Sequence, residues 1–143
     1  MKLFLSKQQL WLCLPFSISF VADVTATLLG QSPEYWSGAY SDVNEGNPLS
    51  NWFLSIHPFA YISFIISCLA FSIFCVANIP ISIGKFVTTL CFLFHTVGTY
   101  RWLRDYFHIG YWESVIILIF FAAIFTFAYS KNEQNGILSE KPQ

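Results

Sequence analysis

Asp23, Glu45, His57 and His95 lie in or beside long apolar runs of a 143-residue chain. A carboxylate within a membrane span costs roughly 2.5–3.5 kcal/mol near the bilayer centre, so it is expected to be paired or used. Asp23 shares the spacing i, i+4 with Ser19 and Thr27, which puts all three on one helical face. Thr88, Cys91, His95 and Thr99 form a second polar stripe. Asp23 precedes Gly30 by seven residues and His95 precedes Trp102 by seven, so each lies about 10 Å below the same end of its helix. An acid and an imidazole at one depth are natural partners. The ring can donate to the carboxylate, and the pairing lowers the cost of burying either group. The same pair could also serve only as interhelical glue.

The segment 44–58, NEGNPLSNWFLSIHP, brings Glu45, Asn47 and His57 to the mouth of a span. It reads as a polar lid over Asp23 and His95, with Arg101 and Arg104 on the far side and His108 and Glu113 nearby. The expected ligand-binding set is therefore Asp23, Thr27, Glu45, Asn47, His57, His95 and Arg101. Within it, Asp23, Glu45, His57 and His95 offer two carboxylates and two imidazoles. That donor set suits zinc or iron with a place left for water. Such an ion would lower the pKa of its water and supply a nucleophile at neutral pH. The chain has no tight H-E-x-x-H spacing to support this. A haem held by His57 and His95 is disfavoured by a depth difference of about 10 Å.

These residues need elements to position them. Of the chain, 55% is hydrophobic and 10% charged, against about 25% charged in soluble domains. That balance marks an integral membrane protein of one all-α domain. The net charge of −1 gives no basis for nucleic-acid binding. Spans are expected at about 9–29, 59–77, 80–102 and 109–129, each near the 20 residues a bilayer requires. None alternates polar and apolar residues as barrel strands do. Asn47-Pro48 is a helix start, and His57-Pro58 a break. A short interfacial helix is therefore expected over 48–56, with Leu49, Trp52, Phe53 and Ile56 on its apolar face. Ser63, Ser67 and Ala70 read as a close-packing row, and the many outer Tyr and Trp residues as an interfacial belt. The tail 131–143 reads as polar and flexible. The four cysteines fall in apolar segments as small hydrophobes.

Lys2, Lys7, Lys85, Lys131 and Lys141 fall at one end of this arrangement, whereas 31–50 contains no Lys or Arg. Only Arg101 and Arg104 fall at the other end, so the positive-inside rule places both termini in the cytoplasm of a cell whose inner, or plasma, membrane holds the chain. The N-terminal run through Val24-Thr25-Ala26 also resembles a cleavable signal peptide. Asp23 beside the site and apolar residues up to Leu29 oppose that reading.

Asp23-x-x-x-Thr27 followed by Glu45-x-Asn47-Pro48-Leu49 resembles the D-x-x-x-T and E-x-N-P-L pattern of a family of small prokaryotic membrane proteins with a domain of unknown function. The resemblance covers the first 50 residues or so and implies that Asp23, Thr27, Glu45, Asn47 and Pro48 belong to one constellation. It implies no activity. The expected function is a polar outward-facing pocket that binds a ligand, or a surface that docks a membrane-protein partner. The alternative is a metal-dependent hydrolase acting on a lipid-linked or peptide substrate at the outer leaflet.

Overall fold

The structure is a computed structural model that describes residues 5–139, apart from the side chains of residues 111 and 136–139. Its helices are α1 (Lys7–Leu29), α2 (Pro33–Trp36), α3 (Pro48–Ile56), α4 (Pro58–Asn78), α5 (Ile81–Asp105) and α6 (Tyr111–Ser139). There are no strands among the described residues. Four helices are long and apolar enough to cross a membrane: α1, α4, α5 and most of α6. The protein is a multi-pass helical membrane protein. The short α3 stands immediately before the second span, as its Asn-Pro start and His-Pro end predict.

Local chemistry sets the boundaries. Ser6 and Gln9 cap α1 reciprocally, each backbone N–H donating to the other's side chain. Asn47 Oδ1 accepts from the N–H groups of Leu49 and Ser50, and Pro48 fills the first turn of α3. His57, extended because proline follows it, ends α3 and begins α4.

α1 is the central helix, packed mainly against α5 and α6 and less against α4. Cys13 and Phe16 of α1 meet Val76, Phe92 and Phe121 in the core. A second cluster, Tyr35 of α2, Leu54 of α3 and Tyr61 of α4, packs the connection between α1 and α4 against α4. At the end where α1 begins, Gln9 Nε2 donates to the Val76 and Ala77 carbonyls at the end of α4. Asn132 Nδ2 donates to the Gln8 carbonyl at 2.7 Å.

Three expectations need correction. The chain beyond 130 is not a loose tail up to residue 139, because α6 continues through it and Asn132 is buried against α1. Residues 140–143 lie outside the described residues. Ser63, Ser67 and Ala70 are exposed rather than packed, since α4 turns its other face to α1 and α3. Two supposed belt aromatics are interior. Tyr35 is buried and donates to the Leu54 carbonyl, and buried Trp102 occupies the space a side chain at Gly30 would need.

Candidate functional site

α1 and α5 pack so closely that their polar stripes face each other. His95 Nδ1 lies 2.8 Å from Asp23 Oδ2. An ionised carboxylate only accepts, so the geometry assigns the donated proton to His95 Nδ1. Asp23 and His95 side chains are 21% and 28% exposed, so the pair is neither sealed nor freely solvated. Phe20 meets the imidazole edge-on at 4.5 Å between centroids and fixes the ring from below. Gly98, one turn beyond His95, makes the approach possible, because a Cβ there would strike the Asp23 carboxylate. Ser19, Thr88 and Thr99 are buried but bond to carbonyls of their own helices, so they add no chemistry.

The pair forms part of the wall of a cavity of about 670 Å³, whose lining includes Thr27, Glu45, Asn47, Tyr61, Arg101 and Trp102. That volume lies in the range of small-ligand sites, about 300–1,000 Å³. Tyr61 presents its phenol to Thr27 and Ser50. The connection between α1 and α4 covers the cavity and is pinned by Gln31. Gln31 Nε2 donates to the Thr27 and Asn44 carbonyls, and Gln31 Oε1 accepts from the Asn44 N–H. Glu45 accepts from the Asn47 N–H at 2.7 Å, and its carbonyl accepts from Asn51 Nδ2. Burial pushes the Glu45 carboxyl above its ordinary pKa. The Asn47 hydrogen bond opposes this, the Asp23 charge adds to it, and Arg101 pulls it back.

Six of the seven residues expected from the sequence, Asp23, Thr27, Glu45, Asn47, His95 and Arg101, line this one cavity. His57 does not. Its Nδ1 accepts from the Phe59 N–H to cap α4, and its ring stacks on Phe59 and meets Tyr40 edge-on. The metal set Asp23, Glu45, His57 and His95 therefore does not converge. Among the described residues no three His, Cys, Asp or Glu side chains are placed to hold an ion. Zinc or iron finds no set of three donors among the described residues, and His57 stands outside the cavity that His95 lines. Arg104 pairs with Asp105, while His108 and Glu113 stand outside the lining. Gly98, Tyr61 and Gln31 were missed by reading the sequence. A glycine three residues after His95, on nearly the same helical face, was the available signal for the first.

Chemically, the Asp23–His95 pair is an oriented acid–base unit. The carboxylate holds the tautomer, and Nε2 is left without a hydrogen-bond partner among the described residues. Comparison with family models, curated proteins and solved structures found no match for this chain.

Proposed function

We propose that this multi-pass membrane protein binds a ligand rich in hydrogen-bond donors in the cavity between α1, α5 and the connection that covers it. The observation that carries this reading is the Asp23–His95 hydrogen bond in the wall of a cavity that also holds Glu45 and Arg101. Interhelical glue needs no such cavity, nor a second carboxylate and an arginine around it. The lysine distribution supports a cytoplasmic location for both termini in the cell membrane, with the cavity opening at the outer side. Exposed Leu49, Trp52 and Ile56 support an interfacial position for α3.

Native mass spectrometry of the protein released from its own membranes tests this reading. A bound adduct is expected on the wild type and is expected to be lost from Asp23→Asn and Gly98→Leu. Identical spectra for wild type and both variants would overturn it. A larger membrane protein that co-purifies, and stays when Asp23 and His95 are replaced together, would favour the docking reading instead. The orientation of His95 favours one refinement, proton transfer to or from the bound ligand through Nε2.

A further inference from the structure

The cavity has one side unlike the others. Its walls on α1, α5 and the covering connection present Asp23, Thr27, Glu45, Asn47, His95, Arg101 and Asp105, whereas deeper along α4 and α5, beyond Tyr61, Ile65 and Phe94 line it with apolar side chains. α4 and α5 are consecutive, yet they touch sparingly, because α4 leans on α3 and α1. Phe94 is 69% exposed, so its ring stands at the bilayer-facing edge of the cavity. Ile65 follows the start of α4 at Pro58 by seven residues and Phe94 precedes the end of α5 at Asp105 by eleven, which puts them roughly 10 and 16 Å below those helix ends. Those levels fall within a hydrocarbon core about 30 Å thick. An apolar side at those levels, continuous with the bilayer-facing surface, suits a ligand that carries an apolar chain.

We propose that the ligand is a phospholipid with a donor-bearing head, of the phosphatidylethanolamine class, whose acyl chains leave between α4 and α5. This rests on the ligand-binding reading above and specifies its ligand. The charges match such a molecule. Arg101 is exposed at the cavity and forms no direct ion pair among the described residues; Glu45 and Asp105 act on it only at longer range, and Asp105 pairs directly with Arg104, so the Arg101 guanidinium can turn to a phosphate. Asp23 and Glu45 only accept when ionised, which suits an ammonium or hydroxyl head. Ile65 and Phe94 carry no polar group and suit the chain. A choline head has no N–H or O–H donor to offer these carboxylates.

The test uses the full chain in phosphatidylcholine nanodiscs doped with photoreactive lipids. Two probes share one diazirine-bearing acyl chain and differ only in head, ethanolamine or choline. Adducts at Ile65 and Phe94 are expected to be at least fivefold higher with the ethanolamine probe. Adducts at Phe71, which is 67% exposed on α4, are expected to be equal for both. Arg101→Gln is expected to remove most of the excess at Ile65 and Phe94 and to leave Phe71 unchanged. Equal labelling of Ile65 and Phe94 by the two probes would overturn the proposal. Water-soluble glycerophosphoethanolamine separates the two readings. If it displaces the probe from Ile65 and Phe94 at equal concentration, the free head is the ligand and only the lipid assignment falls. If native spectra also show no Asp23-dependent adduct, the cavity itself is no binding site.

Discussion

Asp23 and His95 interact through a single hydrogen bond inside a low-dielectric bundle, where few alternatives exist for either group. A double-mutant cycle with Asp23→Ala and His95→Ala, read by unfolding in mild detergent, is expected to give a coupling of about 1 kcal/mol, typical of interhelical hydrogen bonds. Gly98→Ala gains up to about 1 kcal/mol of helix propensity, yet net destabilisation is expected because the new Cβ displaces the carboxylate. Glu45 supplies a pH signature. Its folded pKa is raised, chiefly by burial, so its protonation favours the folded state. Wild-type stability relative to Glu45→Gln is expected to be greatest below the ordinary carboxylate pKa and to fall as pH rises through the raised value. Thermal melts of both proteins across pH 4–8 check the sign. The Asp23–His95 contact was legible because few polar side chains lie within the spans and helical rise converts position into depth. His57 was misread because its neighbours Glu45 and Asn47 suggested a shared site. Pro58 instead fixes His57 as a helix cap, a role the His-Pro pair already implied. Gly98 has no chemistry of its own, and its necessity comes entirely from a carboxylate on another helix.

The helices position the site through contacts distant in sequence. Gln31 ties the connection between α1 and α4 to the end of α1 by three hydrogen bonds, two donated and one accepted. Gln31→Leu is expected to raise amide exchange several-fold around Val43–Asn47, with the core of α1 and α5 unchanged, as measured by hydrogen exchange with mass spectrometry. At the opposite end, Gln9 and Asn132 fix α1 to α4 and α6. The four spans, the Asn47 cap and the His57 break were readable, since apolar length and proline chemistry are local. The continuation of α6 was not, because residues 131–136 carry no apolar face to announce it and Asn132 meets a partner far off in sequence, the Gln8 carbonyl.

The bundle as an object has two unlike ends. One carries the start of α1, the end of α6, the turn between α4 and α5, and the Lys85–Glu133 pair at 3.6 Å. The other carries α3, the covering connection and the cavity. In a cysteine-free background, Tyr40→Cys is expected to react with a membrane-impermeant maleimide applied to intact cells, and Asn135→Cys only after lysis. The reverse pattern would invert the assigned orientation. A cavity beside a central polar pair suits ligand binding only if that pair forms in the bilayer. Nitrogen-15 NMR of the histidine rings in the reconstituted protein tests this directly, because the chain has only three histidines, His57, His95 and His108. The expected result is a protonated Nδ1 on His95 whose signal shifts in Asp23→Asn while His57 and His108 stay in place. His95 ring signals identical in wild type and Asp23→Asn would contradict the pairing and the binding site built on it.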